Sequence, residues 1–260
     1  CLFAQLRQWA EDLQQLPVVY TFPNHPKESL EGQETNMRLL TTLEERERLL
    51  SKEAEMRFLP FDSIRQMTAE AFMRRLYSEG VRTLLMGYDH RFGSDQIKGF
   101  SEYEKIARRV GVRVERAHEC LVDGLPVSST RIRKLLKEGL IHEVNRLLGY
   151  NYSLTGVVEH GNGIGTQIGF PTANIHIQSD KLLPMSGVYA VLANVNGTEY
   201  KALANIGTNP TVGNDYLSLE IHLLDFRGNL YDKQLTISFL SFLRKERKFN
   251  SLAELQSQIA

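Results

Sequence analysis

Near the C-terminal end of this sequence one carboxylate interrupts an aliphatic run. In YLSLEIHLLDF, Leu217, Leu219, Ile221 and Leu223 alternate with Ser218, Glu220 and His222, so a strand there puts Glu220 on the face opposite the aliphatic side chains. Upstream, GNGIGTQIGFPTAN places glycines at 161, 163, 165 and 169 ahead of Pro171, Thr172 and Asn174. Glycines let backbone amides approach phosphate closely because no Cβ intervenes. Thr172 and Asn174 lie two apart, on one face of a strand, and offer a hydroxyl and an amide oxygen suited to a hard cation that keeps most of its water. The loop has neither the Gly-Lys-Ser/Thr ending of a Walker loop nor the strand–loop–helix setting of a dinucleotide fingerprint. Phosphoryl transfer to an alcohol needs an acceptor for the hydroxyl proton and a cation for the phosphate oxygens. Glu220 suits the first role, and the Thr172 and Asn174 pair suits the second. His222 shares the face of Glu220 and is read as a polar wall without a catalytic part.

The N-terminal half carries polar clusters where a parallel α/β sheet binds ligands, just after its apolar runs. Pro23-Asn24-His25-Pro26 follows VVYTF, and Tyr88-Asp89-His90-Arg91-Phe92-Gly93 follows VRTLLMG. A third cluster, Ser128-Ser129-Thr130-Arg131-Ile132-Arg133, opens a helix. Hydroxyls, free amides and two guanidinium groups converge there, as an anion such as a polyphosphate requires. Ordinary capping accounts for one of those hydroxyls only.

Two sets of elements must position these groups. Leu2, Leu6, Trp9 and Leu13 recur at helical spacing, and a buried strand is expected over residues 18–22. Thr42 with Glu45 forms a capping box ahead of LEERERLL, a strand is expected over 56–61, and Thr68 opens AEAFMRRLYSEG. Another buried strand follows over 81–87, then a helix over 101–110, a strand over 112–115, and helices over 130–137 and 141–148. Strands alternating with helices imply a parallel sheet covered by helices. After Gly149 the pattern becomes short alternating runs, with Asn196-Gly197 as a hairpin signal between VYAVLANV and EYKALANI. That half reads as a small antiparallel barrel or sandwich ending in a helix over KFNSLAELQSQIA. The expected division is residues 1–149 and 150–260.

Composition narrows the function classes. The 260 residues carry 31 basic and 31 acidic side chains, so no global field favours nucleic acid or an anionic membrane. No apolar run approaches the about 20 residues of a membrane helix. Only Cys1 and Cys120 occur, which excludes a disulfide framework or a cysteine-rich metal site and suits a reduced cytoplasmic protein. A monomer or weak oligomer acting on small molecules is expected.

GFPTAN, GVYAV, NIGTNPTV, LEIHLLDF with LYDKQL, and LRKERKF occur in the order seen in riboflavin kinases, a resemblance that spans residues 152–260. It implies a six-stranded antiparallel barrel whose glycine loop closes over ATP, with Gly161, Gly163, Gly165, Gly169 and Pro171 at the nucleotide. It further implies that Thr172 and Asn174 hold Mg²⁺, and that Glu220 is the general base for the ribityl 5′-hydroxyl. Arg244, Glu246 and Phe249 correspond to the flavin side. TFPNHP, GYDHRFG and SSTRIR resemble the nucleotidyltransferase domain of bacterial bifunctional riboflavin kinase/FMN adenylyltransferases over residues 1–149. This implies a Rossmann-like domain that adenylylates FMN to FAD, with His25 and Asp89 lining the nucleotide and flavin region and Ser129, Thr130 and Arg131 neutralising pyrophosphate. The family's first strand and its G-x-F-D-x-x-H-x-G-H motif would precede Leu2, so the sequence is expected to start downstream of the natural N-terminus. Two alternatives stay open: a riboflavin kinase with a degenerate N-terminal domain, and a noncatalytic flavin-binding protein.

Overall fold

The computed structural model describes residues 2–23, 38–52, 54–160, 169–178, 180–208 and 217–247. By compactness the chain forms two units, residues 1–37 with 41–127 and residues 38–40 with 128–260.

The first unit alternates helices and strands. Helix α1 (Leu2–Asp12) leads to β1 (Val18–Thr21), α2 (Leu43–Leu50) to β2 (Glu55–Phe58), and α3 (Ala69–Ser78) to β3 (Thr83–Met86); α4 (Phe100–Val110) precedes β4 (Arg113–Arg116). The start of α2 carries the expected capping box, with both reciprocal Thr42 and Glu45 bonds formed. Thr68 caps α3 through the amide of Ala71. The strand expected to continue to residue 61 stops at Phe58, because Pro60 cannot donate to a ladder and the chain turns into a 3₁₀ segment, Phe61–Ser63. β1 pairs in parallel with β2, and β3 with β4, so the parallel α/β architecture is present as two strand pairs. The short hairpin of β5 (Leu121–Val122) and β6 (Leu125–Pro126), turning through Asp123 and Gly124 at positive φ, was not anticipated. Cys120 is disulfide-bonded, a cross-link that counting two cysteines did not lead us to expect.

In the core of this unit Met73, Tyr103 and Ala107 pack with Met86, Val112 and Val114. It anchors the loop after β3. Phe92 meets Phe72 edge-on and Tyr103 at a tilt, at centroid separations of 5.0 and 4.7 Å, and the Tyr103 hydroxyl accepts from the Phe92 amide and donates to the Phe92 carbonyl. The apolar end of that loop is thereby fixed while Asp89 and Arg91 stay at the surface.

The second unit is a closed six-stranded antiparallel barrel. Its strands are β7 (Ser153–Glu159), β8 (Ala173–Ile177), β9 (Gly187–Val195), β10 (Thr198–Thr208), β11 (Leu217–Leu223) and β12 (Gln234–Arg244), arranged β10-β11-β8-β7-β12-β9. Asn196 and Gly197, both at positive φ, turn β9 into β10 as the Asn-Gly pair indicated. Leu154, Tyr189, Val191, Ile206, Leu219, Ile221, Ile237 and Phe239 fill the interior. The helix expected over KFNSLAELQSQIA lies outside the described residues.

Two helices, α5 (Ser129–Lys137) and α6 (Ile141–Leu148), group with the barrel. Asn145 explains much of this: its Nδ2 donates to Asn151 Oδ1 at 3.1 Å and to the Phe239 carbonyl at 2.8 Å, while its Oδ1 accepts from the Tyr152 amide at 2.8 Å. The Met185 amide donates to the Leu136 carbonyl at 3.0 Å. Residues 38–40 join the same unit through the buried Lys181, whose Nζ donates to the Leu40 carbonyl at 2.7 Å and lies 4.7 Å above the Tyr152 ring. Replacing Asn145 by alanine removes three hydrogen bonds at once. Urea unfolding should show a loss of about 2 kcal/mol, and an unchanged midpoint would refute the hub role.

Candidate active sites

Alternation in β11 buries Leu219 and Ile221 in the barrel and leaves Glu220 between them on the outer face, half-buried. Register decides its neighbours. Glu220 lies directly opposite Asn174 of β8 on one side and Asn205 of β10 on the other, and Asn174 in turn lies opposite Glu159 of β7. Directly opposed residues share a face, with Cβ atoms about 4.5–5.5 Å apart. The row is therefore carboxylate, amide, carboxylate, amide, and it continues through Val188 to Arg244. Sequence reasoning found Asn174 and Glu220 but missed Glu159 and Asn205. The alternation in EYKALANI marked Asn205 as outward-facing, yet it could not say which strand would lie alongside.

The segment leading into β8 is held from β11. His222 Nδ1 lies 2.8 Å from the Pro171 carbonyl oxygen, and its ring meets Phe170 edge-on at 5.6 Å. The imidazole thus positions the backbone at Pro171 and Thr172, a sharper part than the polar wall expected of it. Thr172 is exposed, two residues before Asn174, and Gly169 has φ +82°. Gly161, Gly163 and Gly165 lie outside the described residues, as do Phe249 and His25.

Arg244 and Glu246 reach this face through irregularities in β12. The β12–β9 register shifts between Phe239 and Ser241 and again between Phe242 and Arg244, and such bulges re-aim the chain at a barrel rim. Glu246 comes to rest over Gly207, where an added Cβ would lie 2.5 Å from its Oε1. The Glu220 carboxyl is held above its usual range, first because burial penalises the charged form and then because the Glu246 carboxylate is near.

In the first unit, a cleft of ≈ 350 Å³ is lined by Tyr88, Asp89, His90, Lys98 and Arg116, among others. Arg116 donates from Nε and Nη2 to the Tyr88 carbonyl at 2.8 and 2.5 Å, which fixes the loop bearing Asp89. Burial pushes the His90 imidazole below its ordinary pKa, favouring the neutral ring. The helix start read from sequence is α5: Ser128 is its cap, accepting from the Arg131 amide at 3.2 Å, with Ser129 and Thr130 exposed in the first turn and no acidic residue there. Asp89 and this helix start fall in different compact units.

A riboflavin kinase family model matches residues 148–260, and an FAD synthetase model matches residues 1–131. The chain aligns over 251 residues, 93% of its length, with a bifunctional riboflavin kinase/FMN adenylyltransferase from Listeria monocytogenes at 35% identity, covering 78% of that protein. This chain belongs to the bifunctional riboflavin kinase/FMN adenylyltransferase family. The relative of that name from Haemophilus influenzae is 32% identical over 98% of this chain and 84% of its own length. The one from Pseudomonas fluorescens is 38% identical over 75% of this chain, spanning 64% of the relative. A crystal structure titled as a macrolide-efflux protein from Streptococcus pneumoniae superposes with a TM-score of 0.89 at 28% identity, over 99% of this chain and 85% of that one. Among the described residues no helix is long and apolar enough to cross a membrane.

The raised Glu220 carboxyl sets two pH dependences. For the general-base role that the resemblance implies for Glu220, which requires the deprotonated form, a raised pKa moves the acidic limb of turnover upward. Glu246→Gln removes the like charge and should shift that limb to lower pH in a pH–rate profile; an unmoved limb would contradict the coupling. For stability, the folded state holds this proton more tightly than the unfolded chain. The cost of burial is therefore absent below the ordinary glutamate pKa and complete once pH exceeds the raised folded value. Glu220→Gln should accordingly raise Tm at neutral pH and leave it unchanged in acid, as calorimetry at both pH values would reveal.

Proposed function

We propose that the barrel phosphorylates riboflavin with ATP to give FMN, and that the N-terminal domain adenylylates FMN to FAD with release of pyrophosphate. The observation that carries the first half is the half-buried Glu220 directly beside Asn174 on the outer barrel face. Glu220 takes the proton of the ribityl 5′-hydroxyl as its oxygen attacks the γ-phosphorus, and ADP leaves with the electrons of the broken bond. Thr172 and Asn174 supply two neutral oxygen donors, a set that fits Mg²⁺ shared with nucleotide phosphates. When bound, the cation neutralises charge on the phosphate oxygens. Pro171 is held by His222, and Gly161, Gly163, Gly165 and Gly169 cradle the triphosphate. Arg244, Glu246 and Phe249 shape the flavin side.

In the adenylyl transfer, an FMN phosphate oxygen attacks the α-phosphorus of ATP. The exposed hydroxyls of Ser129 and Thr130, the free amides of the first turn and Arg131 receive the departing pyrophosphate. His25 and Asp89 line the nucleotide and flavin region. We assign this activity to residues 1–149 and the kinase to 150–260, with α5 and α6 packed against the barrel. A monomer or weak oligomer that acts on small molecules, with no nucleic acid, completes the proposal. Dependence on ATP supports a cytoplasmic location; the Cys120 disulfide weighs the other way.

A noncatalytic flavin-binding protein would have no use for a carboxylate held above its usual range between two amides. Chromatography of products from riboflavin, ATP and Mg²⁺ separates the readings, with FMN and then FAD expected from the natural gene product. Glu220→Gln should slow FMN formation by about 10²–10⁴-fold and leave conversion of supplied FMN to FAD intact. Undiminished FMN formation would remove Glu220 from the mechanism.

A further inference from the structure

We propose that Asn205 reads the polyol chain of the kinase substrate, hydrogen-bonding the hydroxyl next to the one that reacts. This rests on the kinase reading and deepens it, assigning substrate selection to a residue that the sequence patterns passed over.

Three observations converge on it. First, Asn205 is fixed relative to the base: β10 pairs with β11 and β9 on its two sides, with Asn205 opposite Glu220 and Val188. Its chain neighbours Ala204 and Ile206 are fully buried at 0% exposure, so its backbone cannot drift outward without unpacking the barrel. Second, the Asn205 side chain is half-buried on the outer face, and no described residue is found hydrogen-bonded to it. Its carboxamide is therefore open at the surface to water or to a ligand hydroxyl. Third, the next position on the same face of β10 is Gly207, which has no side chain and is roofed by Glu246. On the outer face of β10, Asn205 is thus the open position, flanked on its C-terminal side by the Glu246 carboxylate that closes over the buried Gly207.

Direction follows from the reaction. The cation ligand proposed at Asn174 is on the β8 side of Glu220, with Thr172 just before that strand. Attacking and leaving oxygens lie roughly in line through phosphorus, so the carbon chain of the alcohol leads away from β8. It then crosses β10, where the first side chain after Glu220 is Asn205 and the next in the row is the apolar Val188. An alcohol hydroxyl both donates and accepts, and a carboxamide answers both functions in one side chain. Directly opposed side chains are about 4.5–5.5 Å apart at Cβ, within reach of a hydroxyl vicinal to the one held by Glu220.

The test compares riboflavin with a riboflavin analogue lacking the hydroxyl vicinal to the 5′ position, using the full chain and steady-state kinetics. Wild type should lose on the order of ten-fold in kcat/KM on the analogue, and Asn205→Ala should lose about as much on riboflavin with little further loss on the analogue. The KM for ATP should not move. Asn205→Ser, which keeps a shorter hydroxyl in place, should recover part of the loss on riboflavin and none on the analogue. Equal losses on both acceptors, or a loss in ATP affinity, would overturn the assignment. Failure of wild type to phosphorylate either acceptor would overturn the kinase reading and this inference with it.

Discussion

Glu220 sits half out of water on the outer barrel face, and strand register decides which side chains surround it. β11 lies between β8 and β10 in the closed barrel, so Glu220 faces one amide on each side. Shifting either pairing by one residue would turn the opposing side chain to the other face. The aliphatic residues that alternate with Glu220 hold the register, because any slip would bring Leu219 and Ile221 out of the core. The row is therefore specified by the same packing that closes the barrel.

Around that row the molecule places adjustable parts. His222 holds the backbone at Pro171, ahead of Thr172 and Asn174, and two register shifts in β12 deliver Glu246 to Gly207. The second carboxylate, after burial, opposes ionisation of Glu220 and raises its affinity for a proton.

Much of this was legible in the sequence for physical reasons. The Asn196-Gly197 turn, the Thr42 and Glu45 capping box and the alternation around Glu220 are local, so the residues that specify each lie within a few positions of one another. Glu220 and Asn174 could be named because each sits in a distinctive local pattern. Their direct opposition could not, since β8 and β11 are not consecutive and only barrel closure brings them together. The same holds for Asn205 and Glu159, whose places in the row depend on which strands pair on closure of the barrel. Helices α5 and α6 read as the end of the α/β half, but Asn145 and Leu136 bond to Phe239 and Met185 far along the chain. The continuous parallel sheet inferred from alternation is present as two pairs, β1 with β2 and β3 with β4.

The central claim is that one carboxylate, placed by register, accepts the proton of the alcohol while the neighbouring amide serves the phosphate. A crystal structure of the protein with ADP, Mg²⁺ and riboflavin tests it most directly. The expected result is a Glu220 carboxylate oxygen about 2.6–3.2 Å from the ribityl 5′-oxygen, with the β-phosphate on the Asn174 side. A riboflavin bound with that hydroxyl beyond reach of Glu220, or a nucleotide on the β10 side of it, would contradict the claim.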